Sequence, residues 1–247
     1  MDGHYELLVQ FEYHSPEGIR KSLSDGFDPN TITNGQPLLM ELVGMYTRTH
    51  RFKDCVQVLV DAGLKWNDEL LLAILLNNAG ALESMLQKNP AAVNKKYTLP
   101  CTYTPLLEAS LMHICAEFNH LDCAKVLIQY GANIESIAGK DENGFGGQTP
   151  IFHTVNQNSN NSFQMLRYFL QLGADVKRTV TGIIWGQGYE WETLIPAVNP
   201  ISYAIMGMLP QMHRSERTIA DIVSQLLLHG YGIEYTPVNI PNKYLHP

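Results

Sequence analysis

One recurring phrase constrains the fold of this chain more than any other feature. Residues 119 to 134 read Asn-His-Leu-Asp-Cys-Ala-Lys-Val-Leu-Ile-Gln-Tyr-Gly-Ala-Asn-Ile, and Leu166 to Val176 repeats the end of that phrase. Val56 to Trp66, Ile19 to Pro29 and Val223 to Ile233 do so more loosely. In each copy apolar residues return every three or four positions, as in Leu121, Ala124, Leu127 and Ile128, the period of a helix buried along one face. Each run stops at a glycine (Gly26, Gly63, Gly131, Gly173 or Gly230), where a left-handed backbone closes a helix and a side chain is costly. Three residues on, Pro29, Trp66, Ile134, Val176 or Ile233 is placed to pack back on the stack.

A second phrase opens the copies. Thr149-Pro150-Ile151-Phe152-His153-Thr154 puts a hydroxyl residue at a helix N-cap and proline at the first helical position, where its missing N–H is harmless. Thr104-Pro105, Gln36-Pro37 and Asn199-Pro200 follow the same plan, so the chain reads as a series of helix pairs. A third copy runs from about Asp68 to Asn89, with asparagine in place of the closing glycine as a left-handed residue. Its Leu70 to Leu76 reads as a helix buried on most sides, partnered by Leu82, Met85 and Leu86.

These residues resemble the ankyrin repeat, whose consensus carries Thr-Pro-Leu-His-x-Ala, a short turn, a Val/Leu-rich second helix, and Gly-Ala-Asp-Val-Asn. The resemblance is closest in the copies ending at Gly131 and Gly173. It implies an all-α, ankyrin-type helical repeat solenoid with short β-hairpin finger insertions. One domain over residues 1–247 is expected, in six repeats at about 1–30, 31–67, 68–97, 98–140, 141–180 and 181–247. In the consensus the opening Thr stands 21 positions before the glycine; Tyr5 to Gly26 and Asp68 to Asn89 keep that distance, while Gln36 to Gly63 and Thr104 to Gly131 take 27. Ser110 also fits the opening position at 21, but Pro105 is the better helix start and the longer helix is expected. Thr149 to Gly173 takes 24 and Asn199 to Gly230 takes 31, with the extra residues in polar runs at 156–161 and 210–217. His4 to Gln10 and the proline-bearing tail 235–247 are expected to serve as end caps.

Junction lengths direct attention to the C-terminal half. Gly63 to Asp68 leaves five positions, too few for a hairpin, whereas Gly131 to Thr149 gives 18 and Gly173 to Asn199 gives 26. Insertions in repeats map to loops, often on the binding face. The longest one reads as a hairpin, with β-prone runs at 179–185 and 189–194 flanking Gly186-Gln187-Gly188 and Trp185, Tyr189 and Trp191 clustered at its end beside Glu190. Such aromatics suit recognition, since they bury much area for few rotamers, and suit equally a small core for the hairpin itself. Residues 139–147 form a second candidate, with Phe145 at a glycine-flanked tip and Asp141 and Glu142 supplying negative charge; the alternative is a solvated turn.

Composition excludes several classes. At 45% hydrophobic and 17% charged the chain is not compositionally disordered. A net charge of −7 argues against a nucleic-acid backbone, which needs clustered Lys and Arg, and favours a partner protein with a basic or mixed surface. No apolar run approaches the roughly 20 residues that span a bilayer, so no membrane partner is expected. Cys55, Cys115 and Cys123 fall inside apolar helical patterns, which points to buried, reduced thiols in a cytoplasmic monomer. Cys101, His113, Cys115 and Cys123 lack the paired short spacings of a zinc site, Asp141-Glu-Asn-Gly lacks the ligands of a calcium loop, and Gly144-Phe-Gly-Gly147 follows no strand and is weak as a phosphate cradle. His113 and His120 read as structural rather than as a nucleophile's base. No catalytic, cofactor or metal residues are therefore assigned. The expected function is non-catalytic protein recognition through finger loops and a concave face, as an inhibitor or immunity-type binder, with an adaptor or secreted effector as the alternative and a repeat-scaffolded enzyme third.

Overall fold

The computed structural model describes residues 3–206 and 214–240. Helices come in antiparallel pairs. Near the N-terminus these are α1 (Gly3–Glu12) with α2 (Pro16–Ser24), and, after the short strands β1 (Ile32–Thr33) and β2 (Gln36–Pro37), α3 (Leu38–Gly44) with α4 (Phe52–Asp61). Next come α5 (Glu69–Leu75) with α6 (Ala79–Lys88), the hairpin β3 (Lys96–Leu99) and β4 (Leu106–Ser110), and α7 (Leu111–Phe118) with α8 (Leu121–Gln129). A 3-10 turn (Pro150–Thr154) stands before α9 (Phe163–Gln171), the hairpin β5 (Val180–Trp185) and β6 (Thr193–Val198), and α10 (Pro200–Ile205) with α11 (Glu216–Tyr231). Pairs pack on their neighbours: α1 against α3 and α2 against α4, α5 against α7 and α6 against α8, then α7 and α10 against the 3-10 turn.

Two kinds of residue make the pairs stack. Apolar side chains do most of it: α7 buries all eight of its residues, and α5 buries Leu70, Leu71, Ala73, Ile74 and Leu75. Left-handed asparagines in the turns within pairs then tie neighbour to neighbour. Asn77 (φ 51) accepts from the amide of Cys123, and Asn119 (φ 56) accepts from that of Met165, so each satisfies an orphan N–H of the next pair's second helix.

Several expectations change. Ser110, not Thr104, opens the fourth pair: it forms a capping box with His113, in which the Ser110 amide donates to His113 Nδ1 (3.1 Å), and residues 106–110 are drawn into β4. Pro105 therefore precedes a strand. Asn89 is extended (φ −143) rather than left-handed, because Pro90 disfavours the helical region at the residue before it, and a 3-10 turn at Pro90–Asn94 follows. Gln36-Pro37 is a strand, with α3 starting only at Leu38; the Asn34-Gly35 turn (φ 50 and 79) has the signature of a type I′ hairpin. Thr149 makes no cap hydrogen bond, and its pair opens with a 3-10 turn instead of an α-helix.

At the far end α11 continues through Gly230 and closes at Gly232 (φ 66). Gly230 is small for another reason: a Cβ there would lie 2.4 Å from Val176 Cγ2. Ile233 is consequently exposed, whereas Pro29 and Val176 are buried as expected. Asn156, Gln157 and Asn158 of the polar run 156–161 are buried, and Arg214 donates to Asn160 Oδ1 (2.8 Å) in the run and to the Val155 carbonyl (2.7 Å) just before it. Residues 210–213 of the second polar run and 241–247 of the expected cap lie outside the described residues.

Candidate functional site

The hairpins and turns on the finger side are bound to one another by main-chain hydrogen bonds. Gly139 N donates to Leu107 O of β4 (2.7 Å), Gly146 N to Gly182 O of β5 (2.8 Å), and Gly186 N to Thr102 O (2.7 Å). Glycine is needed where these backbones approach. At Gly146 (φ 101) a Cβ would stand 2.7 Å from the carbonyl oxygen of Gly139; at Gly182 it would meet Leu194 and Phe145 at 2.9 Å. The glycine-rich 144–147 phrase is thus a joint between fingers. Gly146→Ala is expected to cost more than about 1 kcal/mol and to raise amide exchange at residues 139–147 and 182–186, measured by urea unfolding and hydrogen exchange.

The C-terminal hairpin separates the aromatics that the sequence clusters. Its second strand is Thr193–Val198 rather than 189–194, since Trp185 pairs with Thr193 and residues 186–192 form the loop. Trp185 is 4% exposed and donates from Nε1 to Tyr203 Oη at 2.6 Å, while Tyr103 meets its ring edge-on. It is a core residue and offers no surface to a partner, which corrects the expectation placed on it. Trp185 shares its face of β5 with Ile183, and both are buried. Tyr189 (60% exposed) and Trp191 (46%) stack on each other outside, with ring centroids 5.6 Å apart. Trp191 lies over Gly186, whose Cβ would fall 2.4 Å from its ring. Glu190 is exposed beside them, and Glu192 closes the loop by accepting from Gly188 N (2.8 Å).

In the other candidate segment Asp141 Oδ1 accepts from the amides of Asn143 and Phe145, both at 2.9 Å. Asp141 therefore shapes its own turn. Glu142 is exposed, and Phe145 is half-buried, with its ring edge close to Gly182 of β5. Between these segments, the β3–β4 finger and α3 lies a cavity of about 480 Å³. Cys101, Phe145, Ile184 and Tyr189 line it, as do Glu41 and Met45, which no sequence signal marked because α3 reads simply as a core helix.

The buried histidines, carboxylate and thiols are engaged in packing. Glu117, 3% exposed, accepts from Arg48 Nε (2.6 Å) and Gln157 Nε2 (3.0 Å) and pairs with His153 Nδ1 (2.8 Å). Burial pushes its carboxyl up, but the Arg48 charge and the His153 contact outweigh that and hold it at about 2. Arg48 also donates to the carbonyls of Val43, Met45 and Thr47 and lies 4.8 Å over the Phe118 ring. A glutamate in the mostly apolar run 111–118, directly before Phe118, was the signal available for this cluster. His120 Nδ1 contacts Ile74 O at 2.7 Å, and His113 Nε2 contacts Gln148 O at 3.0 Å.

All four cysteines are free. Burial pushes the thiols of Cys55, Cys101 and Cys123 up to about 12 and that of Cys115 well above its ordinary value, with nearby carboxylates adding to the shift at Cys55, Cys101 and Cys123. Iodoacetamide at pH 8 is expected to leave all four unmodified in the native protein and to modify them in guanidinium, as read by mass spectrometry. Among the described residues no group of three or more His, Cys, Asp and Glu is placed to hold a metal ion, and no helix is long and apolar enough to cross a membrane.

Comparison with known families matches residues 70–180 to ankyrin repeats, in three copies. No curated protein matches the chain.

Proposed function

We propose that this chain, whose residues 70–180 match ankyrin repeats in three copies, is a non-catalytic protein-recognition scaffold of the ankyrin-repeat family, a six-repeat solenoid that binds through its fingers. The observation that carries this reading is the joined finger face, which presents Tyr189 and Trp191 on a loop held by main-chain bonds. Recognition by such a surface loses little conformational entropy, because the loops are ordered before the partner arrives. Stacked aromatics bury large area with few rotamers, and such residues are enriched among interface hot spots. Glu190 and Glu192 share the loop with the pair, and Asp141 lines the same cavity as Tyr189, so a partner with a basic surface is favoured, in keeping with the net charge of −7.

An inhibitor or immunity-type role in the cytoplasm fits a rigid surface made for one partner. The test is affinity capture from the native host with the full chain and with Tyr189→Ala/Trp191→Ala. One protein is expected with the parent and not with the variant. Several unrelated proteins lost together would assign an adaptor instead. Recovery of no protein, or of the same proteins by both forms, would contradict the reading.

A further inference from the structure

We infer that the cavity among the fingers is the seat of an extended, basic segment of a partner protein, which inserts a lysine or arginine side chain flanked by apolar residues. This rests on the protein-recognition reading above and adds the chemistry of what is recognised. The volume of about 480 Å³ falls within the range of roughly 300–1,000 Å³ typical of ligand sites.

The cavity is walled by segments that do not move independently. The α4–α5 junction, Gly63 to Asp68, is too short for a finger, and the β3–β4 finger leans on α3 instead: Thr102 Oγ1 donates to Gly44 O at 2.8 Å, and Gly44 packs against Pro100. The opposite walls are the 139–146 turn and the tip of the β5–β6 hairpin, linked by the bonds described above.

Charge selects the occupant. Of the residues lining the cavity, the charged ones are Glu41 and Asp141, with no lysine, arginine or histidine among them. Each uses one oxygen internally, Glu41 Oε1 accepting from Asn34 Nδ2 (3.2 Å) and Asp141 Oδ1 from its own turn, and neither is in a salt bridge among the described residues. Arg48 approaches from below, 3.6 Å from Cys101 Sγ, but its charge is met by Glu117 and does not oppose a cation in the cavity. The remaining lining sets apolar Met45, Leu99, Leu106 and Ile184 beside the uncharged polar groups of Gln36, Thr98, Thr102 and Gln187, and Tyr189 adds an aromatic ring of the kind that attracts cations. An extended chain presents alternate side chains to opposite sides, so a cation flanked by apolar residues suits a cavity whose walls carry both.

The test is selection of a phage-displayed random 12-residue library on the full chain, followed by fluorescence-anisotropy titration of the leading synthetic peptide. Enriched sequences are expected to share one Lys or Arg next to apolar residues. Binding should weaken at least tenfold in Glu41→Gln/Asp141→Asn, which keeps the two internally bonded oxygens, with an unchanged Tm and a loss of affinity as salt rises from about 50 to 300 mM. Neutral or acidic consensus sequences, no enrichment over an unrelated protein, or equal affinity in the double variant would overturn the inference. Partner capture that depends on Tyr189 and Trp191 but is unaffected by the double variant removes this inference and leaves the protein-recognition reading standing.

Discussion

Glu117→Gln is expected to destabilise the protein by about 3–5 kcal/mol, the cost of leaving a buried arginine without its counter-charge. The glutamine keeps the shape and can still accept one hydrogen bond, so the loss reports the charge rather than a hole. Arg48 cannot escape to water, because it is 3% exposed and its guanidinium is held by the carbonyls of Val43, Met45 and Thr47. The same carboxylate joins α7 to His153 and Gln157, so the damage spreads from the second helix pair to the fifth. A fall in Tm on the order of 10 °C is expected by calorimetry for a chain of this length. Arg48→Met/Glu117→Leu should cost less than the sum of the single variants, since no unpaired charge remains. Additive losses would mean that the two groups do not act as a pair.

Acid is expected to unfold the protein well above the range in which carboxylates titrate. His14 and His113 are held at about 3 and His120 at about 4, in each case first by burial, with the charges of Arg48 and Arg51 adding at His14 and that of His153 at His113. Their folded pKa values are depressed below the ordinary value of about 6.5, so the unfolded chain binds more protons and stability is lost as pH falls below that point. At pH 5 each histidine costs roughly 2 kcal/mol relative to pH 7, about 6 kcal/mol for the three, against a typical total of about 5–15 kcal/mol. Glu117 adds to the loss below about pH 4.3, because its folded value also lies beneath the unfolded one. Unfolding free energies from urea titrations between pH 7 and 5 should fall with an average slope equivalent to about two protons taken up on unfolding, steepening toward about three near pH 5. A slope below one proton would mean that these histidines are not neutral and buried.

The helical framework was legible because a 3.6-residue apolar period and a closing glycine are local signals. Gly26, Gly63, Gly131 and Gly173 all have positive φ where the repeat phrase requires it. What failed depended on partners remote in sequence. Thr104-Pro105 looks like a helix start until Leu106 to Ser110 finds Lys96 to Leu99, and no local rule weighs that pairing against a proline at the first helical position. Ser110 was in view, but the contact that decides for it, the Ser110–His113 capping box, is a side-chain geometry rather than a spacing. Gly230 and Gly232 are both permissive residues; the one that ends α11 is chosen by the approach of Val176 to the other.

Within the C-terminal hairpin, residue type did not separate outward from inward side chains. Trp185 and Trp191 are equivalent in composition, and only the register that opposes Trp185 to Thr193 sends the first inward and leaves the second outside. Asp141, Phe145 and Tyr189 stand out in the sequence as parts of two separate loops, but the cavity they share with Glu41 does not, since Glu41 and Asp141 are 100 positions apart and meet through fingers whose lean is set by tertiary bonds.

Binding of a partner protein at the finger face is tested most directly by hydrogen exchange of the full chain with and without its captured partner. Protection is expected at residues 98–107, 139–147 and 184–194, with the exposed faces of α4, α6 and α8 unchanged. Protection confined to those helices, with the finger segments exchanging as in the free protein, would contradict it.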